Sequence, residues 1–157
     1  MYKIILRSAS IEDADAIAQV YLRSRKELVA FAPLIHSDEN VYHWIRHTLL
    51  LEEQVIVAEE RSRIIGMMSL TKPNETGCIT QLYIHPEVVG KGIGALLLDK
   101  AKAILGPPIH LHTFQQNQGA IRFYEKHGFT IIGFDDGSGN EEKCAAFLYE
   151  WNSKQKD

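Results

Sequence analysis

The chain has 157 residues, 45% of them apolar and 24% charged, with a formal net charge of −3. That balance belongs to one ordinary folded domain. It excludes a disordered polyelectrolyte and a broadly basic surface for nucleic acid. No apolar run approaches the ~18 residues needed to span a bilayer. Residues 1–7 run straight into patterned sequence, so no cleaved targeting peptide is expected. Two cysteines, Cys78 and Cys144, are too few for a disulfide framework. They read as reduced, partly buried thiols of a cytoplasmic protein.

Residues 3–7 read as a short strand. Ser10, with Asp13 three positions on, makes an imperfect capping box for a first helix. Ile11, Ala14, Ile17, Ala18 and Tyr21 follow at helical spacing. Pro33 interrupts, and Ser37 or Asp38 caps a second helix carrying Val41, Trp44, Ile45 and Leu49. Residues 54–59 and 64–70 are apolar strands joined by the polar turn 60–63, which predicts a hairpin. Residues 78–85 form the next strand, ended by Pro86. Residues 92–105 predict a helix with Ile93, Leu97, Ala101 and Ile104 on one face, stopped by Gly106, Pro107 and Pro108. A strand over 109–114, a short helix over 119–127, and strands over 129–134 and 144–151 complete the chain. The order β-α-α-β-β-β-α-β-α-β-β predicts a single α/β domain over 1–157 with a mixed sheet.

The chemistry concentrates in Val88-Val89-Gly90-Lys91-Gly92-Ile93-Gly94, which follows a strand and opens a helix. The first amides of a helix lack intrahelical partners and sit at the positive end of its dipole. Glycines let a ligand approach that backbone closely. Such a loop binds phosphate or pyrophosphate. A nucleotide P-loop needs Lys-Ser or Lys-Thr after its glycines, and none follows here. A dinucleotide fold needs a third glycine, where Leu97 stands, and an acid ~20 residues on, where 109–114 has none. A turn serving packing alone is the structural alternative, although three glycines are many for that purpose.

The segment 80–100 resembles the acetyl-CoA-binding motif of the GNAT superfamily of N-acetyltransferases, [Q/R]-x-x-G-x-[G/A] after a strand of the type L-Y-V-H-P. Leu82-Tyr83-Ile84-His85-Pro86 matches the strand, and Gly92 and Gly94 match the two small positions. Val89 stands where the family has Gln or Arg. That departure removes a side-chain contact and keeps the backbone amides. A second segment, from Asn117 through Ala120, Phe123 and Tyr124 to Gly128-Phe129, is similar to the family's N-x-x-A-x-x-F-Y-x-x-x-G-F. The resemblance implies a mostly antiparallel central sheet flanked by helices. It also implies acetyl-CoA as acyl donor, and no metal. Leu82, Tyr83, Ile84, Val89, Gly90, Lys91, Gly92, Ile93, Gly94, Ala95, Asn117 and Tyr124 would then hold the donor. Asn117 would contact its pantetheine arm, and Tyr124 would stand near its sulfur.

The activity implied is direct transfer of an acetyl group to a primary amine of a small molecule or peptide. A backbone N–H among Leu82, Tyr83 and Ile84 would polarise the carbonyl. Tyr124, with an ordinary pKa of ~10 against ~8.5 for a thiol, would act as general acid. The base is open, because Thr80 and Gln81 stand where many relatives carry glutamate. His112, on one face with His110, is the tentative base. A water held by Gln81, or a water chain with no dedicated base, are the alternatives. The segments 31–39 and 135–142 are expected to build the acceptor pocket, with His36, Asp38, Asp135 and Asp136 in its lining. Glu141 and Glu142 would bind a cationic acceptor or remain solvated. The alternative to an enzyme is an acyl-CoA-binding module without catalysis. No nucleic acid or membrane partner is implied. The last strand, with Ala145, Phe147, Tyr149 and Trp151 on one face, is read as core, and a homodimer contact there stays open.

Overall fold

The structure, a computed structural model, describes residues 3–153. Its elements are β1 (Ile4–Ser8), α1 (Ala14–Leu28), α2 (Asp38–Trp44), β2 (Gln54–Glu60), β3 (Arg63–Thr71), β4 (Gly77–Ile84), α3 (Ile93–Leu105), β5 (Ile109–Phe114), α4 (Gln118–Lys126), β6 (Phe129–Asp135) and β7 (Ala146–Trp151). A wider helical turn (Ile45–Leu49) and a final turn (Leu50–Glu52) prolong α2 to the start of β2.

One sheet runs β1-β2-β3-β4-β5-β7-β6. Every neighbouring pair is antiparallel except β4 and β5. Alternation along the central strands sends side chains to two cores. Val55 and Val57 meet Ala14, Ile17, Ala18, Val41, Ile45 and Leu49 of α1 and α2 on one face. Ile56 and Ala58 join Ile93, Leu97, Leu98, Ala101 and Leu105 of α3 on the other. Because both faces are covered, β2 and β3 read as continuous apolar runs instead of alternating ones.

Several boundaries differ from the sequence reading for local reasons. The capping box closes, with Ser10 N–H donating to Asp13 Oδ2 at 2.8 Å. It opens a tight turn (Ile11–Asp13) before α1, which leaves Ile11 exposed. Leu98 and Leu105 take the core positions of α3, while Ile104 is exposed. The last strand starts at Ala146 rather than 144. The side chain of Asn140 occupies both backbone groups of Cys144, with Nδ2 donating to its carbonyl at 2.7 Å and Oδ1 accepting from its N–H at 3.2 Å. Tyr149 is fully buried in that strand, and Phe147 and Trp151 pack on the same core. Among the described residues no helix is long and apolar enough to cross a membrane. Cys78 and Cys144 are free and half-buried.

Candidate active site

β4 and β5 pair only at Gly77↔Ile109 and Cys78↔His110. Beyond those two positions the strands part, β4 staying with β3 and β5 with β7. The gap opens a cavity of about 1380 Å³ that reaches from the start of α3 to the loops over α1. It exceeds the roughly 300–1,000 Å³ of an ordinary ligand pocket, so it has room for a long ligand and a second one.

At one end stands the glycine-rich loop. Val89, Gly90, Gly92, Ile93, Gly94 and Ala95 line the cavity, whereas Lys91 is exposed and outside the lining. Gly90 and Gly92 have φ of 86° and 85°, the left-handed region that only glycine enters freely. Gly92 is the N-cap of α3, and no side chain caps that helix or places an acid in its first turn. Its first amides therefore face the cavity without intrahelical partners. A Cβ at Gly90 or Gly92 would meet no protein atom within 4 Å, so it would project into free space. At Gly94 it would meet Phe123 Cζ at 3.2 Å, so that glycine serves the close packing of α3 on α4. The loop thus fits an anionic diphosphate by backbone alone, without a contribution from Val89.

In the middle of the cavity, Leu82, Tyr83 and Ile84 form the β4 wall, and Asn117, Ala120, Phe123 and Tyr124 form the α4 wall. Asn117 is the N-cap of α4, its Oδ1 accepting from Ala120 N–H at 3.1 Å. This cap moves the helix start from 119 to Gln118. Tyr124 is 8% exposed and packs against Phe123, Phe129 and Tyr149. Among the described residues its hydroxyl has no hydrogen-bond partner, and burial pushes the phenol above its ordinary range. His85, at the end of the strand, is buried. Its imidazole is held below its ordinary range by that burial and by the neighbouring Arg63 guanidinium.

The opposite end is aromatic and carries charge. Tyr21 of α1 packs edge-on against Tyr83 at 4.9 Å and in a tilted arrangement against Trp44 at 5.7 Å. Arg25, one turn on, is 4% exposed. Its Nη2 donates to the carbonyls of Ala32 at 3.4 Å and Pro33 at 3.1 Å, and Nη1 lies 3.9 Å from Glu142. His36 Nε2 and Glu141 Oε1 stand 2.7 Å apart across the same mouth. The expectation for this lining is corrected in part. His36 belongs to it, as do Glu141 and Glu142, but Asp38, Asp135 and Asp136 do not. Asp38 pairs with Lys26 at 2.8 Å, while Asp135 and Asp136 accept from Gly137 and Ser138 N–H within their own turn. The two β5 histidines also separate. His112 lines the cavity, whereas His110 stands 2.9 Å from Glu150 of β7. Tyr21 and Arg25 were not singled out for the site from sequence. The available signal was an arginine at a core-facing position of the helix that carries Ala14, Ala18 and Tyr21.

A family model, described as the acetyltransferase (GNAT) family, matches residues 16–129. The chain belongs to the GNAT acetyltransferase family. Among relatives, the peptidyl-lysine N-acetyltransferase YiaC of Escherichia coli is 28% identical over 149 residues, covering 94% of this chain and 96% of YiaC. The peptidyl-lysine N-acetyltransferase YjaB of the same organism is 25% identical over 130 residues, 83% of this chain and 84% of YjaB. Among solved structures, the PaiA N-acetyltransferase of Thermoplasma acidophilum in complex with coenzyme A superposes with a TM-score of 0.75 at 25% identity, covering 96% of this chain and 99% of that one. The apo form of YjaB superposes with a TM-score of 0.77 at 23% identity, covering 95% and 97%. The GNAT relationship makes the chain an acetyltransferase enzyme. Among the described residues, no group of three or more His, Cys, Asp or Glu side chains could hold a metal ion.

Proposed function

We propose that this GNAT enzyme is a cytoplasmic, single-domain protein that transfers the acetyl group of acetyl-CoA directly to the side-chain amine of a lysine in a peptide or protein. The observation that carries the reading is one continuous cavity. It joins the uncapped amides of α3 to an aromatic mouth bearing Glu141 and Glu142. The first end suits the diphosphate of a CoA, and the coenzyme A complex of the PaiA relative supports it. The second end suits a long apolar stem tipped by a cation. Tyr21, Trp44 and Tyr83 offer aromatic faces to the methylenes, and the two carboxylates offer attraction to the charge. The peptidyl-lysine activity named for YiaC and YjaB supports that acceptor class.

Within the cavity each residue has a defined task. The amides of Ile93, Gly94 and Ala95 hold phosphate. A backbone N–H of Leu82, Tyr83 or Ile84 on the parted strand donates to the carbonyl oxygen as it gains charge. Tyr124 donates its hydroxyl hydrogen bond to the leaving sulfur. Its raised pKa keeps it protonated, so it stabilises the thiolate chiefly by hydrogen bonding and yields its proton reluctantly. His112 lines the acceptor half and helps orient the amine.

The test is calorimetry with acetyl-CoA, followed by mass spectrometry of a lysine peptide incubated with enzyme and cofactor. Micromolar binding and the mass gain of one acetyl group on the lysine side chain are expected. Binding without transfer to any peptide or small amine would identify a non-catalytic acyl-CoA-binding module instead.

A further inference from the structure

An ammonium has no lone pair, so the acceptor must lose a proton before it attacks. β4 offers Thr80 and Gln81 where a carboxylate would be useful. The fold brings a carboxylate to that place from another element.

The β3–β4 register shifts so that Ser69 faces Gln81 and Leu70 faces Ile79, which leaves Thr80 as the extra residue of a bulge. A bulge re-aims a side chain. Thr80 lines the cavity just past the last β4–β5 pair, where the two strands begin to part. Its Oγ1 lies 2.6 Å from Ser69 Oγ. Ser69 stands two positions from Met67, whose side chain belongs to the α1/α2 core, so this cluster sits on the acceptor side of the sheet. Behind Thr80, Glu53 closes the end of the α2 extension, and Thr80 Oγ1 donates to its Oε1.

Proton inventory fixes the directions. A carboxylate can only accept, and of the two acceptors within reach of the single Thr80 proton, Glu53 Oε1 and the Ser69 carbonyl at 3.3 Å, the Glu53 carboxylate is the nearer and takes it. Ser69 is fully buried, and its hydroxyl must then donate to Thr80. Thr80 Oγ1 thereby donates once and accepts once. One lone pair remains, on a residue that lines the cavity.

We propose that Thr80 is the catalytic group that receives the acceptor's proton, with Glu53 the positioning residue that draws the Thr80 proton onto its own carboxylate. The inference rests on the acetyl-transfer reading. The step balances. An N–H bond of the ammonium breaks and an O–H forms on Thr80. The former Thr80 O–H breaks, and a new O–H forms on Glu53. An ammonium and a carboxylate become a neutral amine and a neutral acid, and no other reagent is required. A cation drawn in by Glu141 and Glu142 would meet this hydroxyl at the convergence of β4 and β5. The rival within the cavity is the His112 imidazole on the facing strand.

The experiment compares wild type with Glu53→Gln, Thr80→Val, Thr80→Ser and His112→Asn. Each is first titrated with acetyl-CoA by calorimetry to establish a folded, cofactor-binding protein. Thiol release is then measured with acetyl-CoA and a panel of Nα-acetyl-lysine amide, spermidine and benzylamine. Glutamine keeps an acceptor for the Thr80 hydroxyl but cannot take a proton at neutral pH. Glu53→Gln and Thr80→Val are expected to lower kcat about 100-fold or more, with the acetyl-CoA KM within about twofold of wild type. Thr80→Ser is expected to recover most of the rate. Wild-type kcat in Glu53→Gln or in Thr80→Val overturns the relay. So does a kcat loss confined to His112→Asn. Wild-type turnover of the small amines but not of the lysine compound counts against the lysine reading alone. Absence of turnover with every amine overturns both.

Discussion

Tyr124→Phe separates catalysis from stability more cleanly than any other change in the cavity. The hydroxyl has no partner among the described residues, while the ring is 8% exposed and contacts Phe123, Phe129 and Tyr149. Phenylalanine keeps the ring contacts and loses no hydrogen bond. The folding free energy should therefore change by less than about 0.5 kcal/mol, or rise slightly as a buried polar group is removed. On the proposed reading, the same hydroxyl faces a sulfur that becomes a thiolate. A hydrogen bond to a charged group contributes about 1.5–3 kcal/mol, which is about 10- to 150-fold in rate. Urea unfolding gives the first quantity, and steady-state thiol release the second, with the acetyl-CoA Kd from calorimetry as control. A kcat within about twofold of wild type removes the role at the sulfur. A fall in stability of about 2 kcal/mol would mean that the hydroxyl has a structural partner, which contradicts the geometry.

Other expectations follow from the loop and the first helix. Gly92→Ala places a side chain at φ 85° without any clash against protein, so the folding cost should be about 1–2 kcal/mol from backbone strain alone. Its Cβ projects into the cavity at the end proposed for the diphosphate, and the acetyl-CoA Kd should rise about tenfold or more, equivalent to about 1.4 kcal/mol. An unchanged Kd would show that the diphosphate binds elsewhere. Asp13 accepts from both Nη atoms of Arg7 at 2.8 and 3.0 Å and from Ser10 N–H. The guanidinium, chiefly, holds its carboxyl down at about 2. A folded-state pKa below the unfolded ~3.9 stabilises above about pH 4, and the benefit is lost as pH falls through about 2. With the Arg7 side chain 36% exposed and partly screened, the contribution is about 1–2 kcal/mol. The stability gap between wild type and Asp13→Ala should shrink across that interval, and a gap that does not depend on pH would refute the ion-pair account.

Element order was legible throughout, because periodicity and punctuation agree from β1 to β7. The glycine-rich loop at the start of α3 was legible too, since it is built from contiguous backbone. Gly90, Gly92 and the start of α3 lie within a few positions of one another, and what they offer is amides. The opposite, aromatic mouth was not, because it is assembled from distant segments. Asp38 and Asp135 looked as suitable as Glu141 and Glu142, and only tertiary placement separates them. Lys26 and the turn amides occupy the first two, while His36 and Arg25 bring the second two to the mouth. The Thr80–Glu53 contact depends on a bulge, and a one-residue slip in strand pairing leaves no mark in composition or period. Asn140, within the segment 135–142 expected to line the pocket, sets where the last strand begins.

The two-residue ladder between β4 and β5 also has a mechanical meaning. Every other seam of the sheet is held along most of its length, so the β5–β7–β6 unit, with α4, is attached to the rest by its shortest line of hydrogen bonds. Along that line the inner edges of two strands present amides and carbonyls that no neighbouring strand satisfies. A chain of amide groups laid into the gap would act as the missing rung. Occupancy and cohesion then rise together. Hydrogen exchange in β5 and the outer half of β4 should report ligand binding, while β2 and β3 stay indifferent to it.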